Sequence, residues 1–492
     1  RKANWLNSLD EEVAKLDESS FNLCQAYCDG VNAGLSNKKI SAMKLLGYQA
    51  EPWRIQDIIL VSRMASYLTL AQSQAEVERL FIELVQAGIS TEQLAALFPI
   101  DASNFDRDLI ESVHLGERVV PQELIWNLAL PRMMASNNWV ISGNKTASGQ
   151  AIMANDPHLE INRLPNVWCE QSLSWPENTI KGMGMPGLPG IIVGRSNDLA
   201  WGVTYTFMDT IDSWVEECKD GKYRQGRKWL AFEKRTEIIK RKKHADEALH
   251  FYENKHGVLD GNPFEAGRYL ATKWAADNMG AASLMASLSL SNASSAQEGA
   301  SCLAKMESAW NWVLADEQNN IVYQMSGLMP KRDESWNGFT PMPGWEAKYD
   351  WQGMVDSSDL PCEENPKQAY IITANQDLNH LGTCSPINMP MGDYRARRIA
   401  QLIEQSDQHD VNSSQKIQFD VYSIQADEFL AVLLPLLEES KEQSSAFSVL
   451  KKWNREYDLE SIAAPLFEDF YSALRMEVFG SSTAGTGKEV MR

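Results

Sequence analysis

The chain changes texture just before Ser136, and that change limits its possible folds more than any other feature. Ahead of it the apolar residues recur at helical spacing. In "DEEVAKLDESSFNLCQAYCDGVNAG", Val13, Leu16, Leu23, Tyr27 and Val31 fall mainly three, four or seven apart, and Gly34 fits a helix stop. "DIILVSRMASYLTLAQSQAEVERLFIELVQAG" continues that period for many turns. Behind Ser136, short runs such as "WVISG", "AIMAN", "GIIVG", "WGVTYTF", "WNWVLAD" and "NIVYQMSG" alternate with Gly, Asn, Asp and Pro clusters, which are strand and turn signals. The chain therefore reads as α+β: helical over 1–100, a connector over 101–135, and sheet-rich from 136. Helices return at "YRARRIAQLIEQ" and beyond Ile417. "NKTASGQ" suits a hairpin between the first two strands, and "KDGKYRQGRKW" a basic exposed loop or hairpin. No internal repeat is present.

A length of 492 residues allows two to four ordinary domains or one large composite one. With 44% apolar and 23% charged residues the chain is globular in composition. Lys and Arg total 46 against 66 Asp and Glu, a net charge of -20, which repels phosphate backbones and argues against a nucleic-acid partner. The longest apolar run, "FLAVLLPLL", is about half the 18 or so residues of a membrane span and contains Pro435. The seven cysteines lack zinc-ligand spacing with histidine. Cys362 and Cys384 are candidates for a bridge. The chain starts at Arg1 with no methionine or signal peptide, as a trimmed piece would.

Most familiar chemical motifs fail on inspection. "GSSTAGTGKEV" invites a phosphate-loop reading, but the required first glycine is Ser482 and Glu489 follows the lysine. No His-Glu-x-x-His or Gly-x-Ser-x-Gly pattern occurs. Most of the seven histidines sit in charged surroundings, and "RKKHADEALHF" reads as a solvated face. His158, in "NDPHL", is the exception. Ser136, in "ASNN", reads by itself as a turn residue. At a new chain end it reads differently. A serine hydroxyl needs a base, and a free α-amino group, with an unperturbed pKa of about 7.7–8.0, could supply one on the same residue.

The stretch "SNNWVISGNKTASGQAIMANDPHL" closely resembles the start of the catalytic subunit in the penicillin acylase family of N-terminal nucleophile hydrolases. "GLPGIIVGRSNDLAWGVTYTFMDTIDSW", "WNWVLADEQNNIVYQMSG", "PMPGWEAKYDWQG", "LPCEENPKQAYIITANQ" and "YRARRIAQLIEQ" resemble its later blocks, in order. "AYCDGVNAG" and "LLGYQAEPWRIQDIILVSRMASY" resemble its small-subunit half. The resemblance covers most of residues 20–410. It implies a four-layer αββα sandwich with a helical small-subunit segment (1–100), a spacer (101–135) and a large-subunit segment (136–492) that stops before the usual end.

The resemblance also implies roles. Ser136 would be the nucleophile, exposed by self-cleavage of the preceding peptide bond. The backbone of His158 would help orient it. The backbone N–H of Tyr205 and the side-chain amide of Asn375 would form the oxyanion hole. Arg398 would lie near the serine's amino end, where a cation helps keep the amine neutral. "MDTIDSW" resembles the family's calcium segment, with carboxylates from Asp209 and Asp212, a carbonyl from Ile211, and a small-subunit acid for which Gln74 and Glu76 both come near, Glu76 being the better ligand. A further carbonyl would come from around Pro341. A strand end decorated with solvated acids is the alternative. Leu159 replaces a pocket phenylalanine of some members, and Val203 a common serine. These departures set the pocket apart from a phenylacetyl-selective one.

The implied function is hydrolysis of a linear amide, a small-molecule substrate, by a heterodimer of the chain's own two cleavage fragments in the periplasm or secreted, without an organic cofactor. Two other readings stay open: an acyl-homoserine lactone acylase, and a non-catalytic binding homologue that never cleaves itself.

Overall fold

The computed structural model describes residues 2–37, 41–48, 50–98, 105–116, 135–158, 167–241, 243–439, 445–475 and 477. The first hundred residues are helical, chiefly Leu9–Ala14, Glu18–Asn37, Ile55–Ser66, Gln72–Gln86 and Thr91–Leu97. Two details differ from the sequence reading. The helix Glu18–Asn37 runs through Gly34, where an added Cβ would meet nothing within 4 Å, so neither packing nor a turn demands that glycine. The long period that starts at Asp57 is split by a π turn at Tyr67–Ala71. That turn re-aims the apolar stripe. Before it, Ile55, Ile58 and Ile59 pack on Cys24, Cys28 and Leu284. After it, Phe81, Ile82 and Val85 pack on Val215, Leu270 and Phe339.

Part of the expected connector is folded. Asp106 caps the helix Arg107–Glu111 through Leu109 N–H, and His114 N–H donates to Arg268 O at 2.7 Å. Residues 117–134 lie outside the described residues, as do Leu159 and the "GSSTAGTGKEV" tail.

Among the described residues strands begin at Ala135, as the texture change indicates. Ala135–Ile141 is the centre of a three-stranded antiparallel sheet, between Tyr370–Thr373 and Ile152–His158. A seven-stranded sheet contains Leu199–Tyr205 paired with Trp310–Asp316. A larger sheet of eight strands is built around Ile211–Lys219 and Gly267–Trp274. "KDGKYRQGRKW" is a hairpin of this sheet, Lys222–Gln225 paired with Lys228–Ala231.

Side-chain alternation along the central strand fixes the layers. Trp139 and Ile141 point to one side, against Ile399, Ile403 and Ile417 of the helices Tyr394–Ile403 and Val411–Gln418. Val140 points to the other, into a cluster with Tyr205, Val313 and Tyr323. The seven-stranded sheet turns Trp201, Trp312 and Leu314 onto Leu290, Ala296, Ala300 and Leu303. The last helices, Ile424–Glu439, Ser445–Lys452 and Ala463–Arg475, close on a cluster of their own around Leu430, Leu450, Trp453 and Phe467. Pro435 lies inside the first of them. All seven cysteines are free, so Cys362 and Cys384 are unbridged, and no described helix is long and apolar enough to cross a membrane.

Candidate active site

Ser136 is the second residue of the central strand, opposite Pro157, with Ala135 opposite His158. It is 2% exposed. The serine Oγ donates to Ala135 O at 2.7 Å. The Ser136 backbone N–H donates to Asn375 Oδ1 at 2.9 Å.

Asn375 follows the strand Tyr370–Thr373 and carries φ +70°, a left-handed conformation that asparagine tolerates better than most residues. Its amide is fully oriented. Oδ1 accepts from Ser136 N–H and from Arg395 Nη2 at 2.9 Å, while Nδ2 donates to Tyr205 O at 3.0 Å. An NH₂ group has two protons, and the second has no partner among the described residues. Tyr205 ends its strand, and its carbonyl also accepts from Asn311 Nδ2 at 3.2 Å. Asn311 is held in turn by Tyr323 OH at 2.8 Å.

The arginine at this centre is Arg395. Nη1 donates to Ser136 O at 2.7 Å and Asn137 Oδ1 at 2.5 Å. Burial pushes its pKa down, partly offset by Asp156. Arg398, the position taken from the sequence, points elsewhere: it makes a two-pronged contact with Asp420, 2.7 Å on each prong, and lies over the Tyr422 ring. The helix period explains the difference. Ile399 and Ile403 are its buried residues, and Arg395 stands four and eight positions before them. That stripe was the available signal. His158 is half-buried, its Nε2 2.8 Å from Asp156 Oδ2, and this hydrogen bond holds the Asp156 carboxyl below its usual range.

Ser136, Val203, Tyr205 and Trp310 line one cavity of about 810 Å³, open mouth included. Among the described residues no charged side chain lines it.

The acids predicted to hold calcium are divided. Asp209 and Asp212 are both buried, and Arg332 spans them, Nη2 3.0 Å from Asp209 Oδ1 and Nε 2.8 Å from Asp212 Oδ2. Gln74 and Asn388 donate to Asp209, and Trp351 to Asp212. Ile211 supplies its N–H to Asp209 and buries its side chain. Glu76 is exposed and accepts from Gln72. The acid facing the aspartates is Glu78, four residues beyond Gln74 and 3% exposed. Burial and mutual repulsion push the Glu78 and Asp209 carboxyls up, with Arg332 opposing. Among the described residues no three such side chains converge on one point as a ready-made cage. Yet three buried carboxyls face one guanidinium, and Glu78 Oε1 and Asp212 Oδ1 have no partner. Unpaired oxygens of this kind suit a hard cation with oxygen ligands.

A serine held by an asparagine amide and an arginine, with the amide itself braced on a strand-end carbonyl, on an α+β frame, defines a class before any name. Residues 1–491 match the family model described as Penicillin amidase, and the chain belongs to that family. An acyl-homoserine lactone acylase, QuiP, of Pseudomonas aeruginosa is 28% identical over 438 residues, 81% of this chain and 50% of that protein. A penicillin acylase 2 proenzyme of a Pseudomonas species is 26% identical, over 96% of this chain and 62% of the relative. The penicillin G acylase of Escherichia coli is 28% identical, over 80% and 52%. The chain thus spans about half the length of most of the curated relatives it matches. The solved structure of a thermostable penicillin G acylase from Alcaligenes faecalis shares the fold, with TM-score 0.57 and 22% identity over 65% of this chain and 59% of that one.

Proposed function

We propose that this chain is a self-processing amidohydrolase that removes an acyl group from an amine through an ester on Ser136. The observation that carries the reading is the orientation of the Asn375 amide, which holds the Ser136 nitrogen with its oxygen and keeps one N–H uncommitted. In the first stage Ser136 Oγ attacks the Ala135 carbonyl carbon and the Ala135–Ser136 C–N bond breaks. Water then splits the resulting ester, leaving an Ala135 carboxylate and a free Ser136 amine. The 2.7 Å approach of Oγ to Ala135 O supports this stage.

In the second stage the neutral amine takes the hydroxyl proton, directly or through a water, and Oγ attacks the substrate carbonyl. Asn375 Nδ2 and the Tyr205 N–H stabilise the oxyanion. The amine then protonates the leaving nitrogen, and water releases the acid. Arg395, in the place first given to Arg398, favours the neutral amine by its charge. The backbone of His158 holds the strand opposite Ala135.

The αββα reading of the layers belongs to the same proposal. It is supported by helix, sheet, sheet and helix clusters packed in that sequence. So do the pairing of the two fragments and a periplasmic or secreted setting. A structural calcium ion does too, with Glu78, in place of Glu76, and Asp209, Asp212 and the Ile211 carbonyl as its ligands; bound, it would neutralise buried carboxylates.

The described lining, without a charged side chain, favours neutral acyl groups. The relatives named acyl-homoserine lactone acylases keep that substrate class as a second reading. Mass spectrometry of purified protein tests the processing. Two fragments, the larger beginning at Ser136, are expected. A single intact chain that hydrolyses no acyl amide after prolonged mild alkalinity would leave the binding homologue standing. A panel of amides with graded acyl length, with homoserine lactone among the amines, separates the two substrate classes.

A further inference from the structure

Two helices each present a serine pair, four residues apart, to the acyl cavity: Ser62 and Ser66 on Ile55–Ser66, Ser283 and Ser287 on Ala281–Ser289. Ser308 completes this polar wall; Ser136, Thr204 and Tyr205 also reach the cavity, and the rest of its described lining is Trp, Leu, Met, Ile, Val, Ala and Pro. The protons on this wall can be counted. Ser66 Oγ donates to Ser62 O at 2.9 Å, so its single proton is used. Ser308 Oγ lies 2.6 Å from Ser66 Oγ, and Ser308 must therefore be the donor across that contact. Ser308, 7% exposed, is left with only lone pairs to offer the cavity. Ser283 is occupied, accepting from Glu307 N–H and donating to its carboxylate. The hydroxyls of Ser62 and Ser287 have no partner among the described residues and remain able to donate.

We infer that this wall selects acyl groups bearing a neutral hydrogen-bond donor, a hydroxyl, which donates to Ser308 and extends the chain Ser308 to Ser66 to the Ser62 carbonyl. An unsubstituted acyl group leaves the Ser308 lone pairs buried without a donor. An ether of the same shape meets them with a second acceptor. Both are disfavoured, because leaving or opposing a buried polar group costs more than the hydrogen bond itself yields. The inference rests on the reading of this cavity as the acyl pocket of a Ser136 enzyme.

The test compares matched chromogenic anilides in two series: phenylacetyl, 4-hydroxyphenylacetyl and 4-methoxyphenylacetyl, and hexanoyl with its 6-hydroxy and 6-methoxy forms. The hydroxyl member of at least one series is expected to exceed both companions by at least fivefold in kcat/KM. Ser308→Ala abolishes that ratio. Ser66→Ala releases the Ser308 proton, so the hydroxyl-over-methoxy ratio falls towards one or inverts, an outcome that a purely structural role for Ser66 does not produce. Ser289→Ala, on the exposed side of the same helix as Ser287, keeps the ratio. Binding of the free acids by calorimetry reads the same ratios without turnover. If no anilide is hydrolysed, the enzymatic reading fails while the calorimetric ratios still decide this one. Equal values for hydroxyl and methoxy members in the wild type, or a preference that survives both variants, overturns it.

Discussion

At the scale of single residues, Asn375 carries the most constraint. Its left-handed backbone puts one amide between the Ser136 nitrogen, the Arg395 guanidinium and the Tyr205 carbonyl. Asn375→Ala should still fold, with a circular dichroism spectrum near wild type and a melting temperature lowered by the left-handed backbone and the lost hydrogen bonds, yet lose about 2.7–4 kcal/mol of transition-state stabilisation. Near-normal kinetics would remove Asn375 from the mechanism. Arg395 and Arg398 separate by pH profile. A cation near the Ser136 amine lowers the amine's pKa, so Arg395→Leu shifts the acid limb of kcat/KM to higher pH, whereas Arg398→Leu leaves it in place.

Asp156 gives an acid-side effect with a definite sign. Its carboxyl is depressed, chiefly by the His158 hydrogen bond. The contact thus contributes stability above the unfolded value of about 3.9 and loses it as pH falls through the lower folded value. Asp156→Asn should flatten the dependence of melting temperature on pH below about 4.

That Ser136, Tyr205 and Asn375 lie together was legible because family resemblance carries short motifs well. The choice among Arg395, Arg397 and Arg398 was harder, since all three lie within one helical turn and only the stripe set by Ile399 and Ile403 separates them.

At the scale of elements, the helix Gln72–Gln86 shows how a two-residue slip changes a chemical assignment. Glu78 shares the buried stripe of Phe81, Ile82 and Val85, and Glu76 stands outside it. Calcium titration of the apo protein, followed by thermal melting, should raise the melting temperature of wild type and of Glu76→Gln. In Glu78→Gln the rise should shrink or vanish. An equal rise in all three proteins places the ion elsewhere. The π turn at Tyr67–Ala71 was not legible, because "YLTLA" keeps the apolar content of its neighbours. The redirection appears only when the two halves are seen on different partners, Leu284 for one and Phe339 for the other. The break in texture at Ser136 was legible because a change of period is local, whereas which sheets the new strands join depends on contacts hundreds of residues apart.

At the scale of the whole molecule, the amino-terminal helices are built into the sheet-rich part. Cys24 and Cys28 are sealed beneath Leu284, and burial pushes the Cys24 thiol up to about 11 and that of Cys218 up to about 12. Native protein at pH 8 should label quickly at the exposed Cys169 and more slowly at Cys362, whose thiol is pushed up by burial and by Glu364, while Cys24, Cys28 and Cys218 react only on unfolding. Rapid labelling of Cys24 in a processed sample would mean that the two fragments come apart.

The acyl cavity has one wall from Ser62–Ser66 and another from Ser283–Ser308, and the Ser66–Ser308 hydroxyl contact closes the seam between them. On the proposed reading, part of the preference for a substrate is therefore set by two stretches on opposite sides of Ser136, the rest coming from Pro157 to Tyr205. Grafting the first stretch from a relative onto this chain should transfer part of that relative's taste, with the attacking serine and everything behind it unchanged.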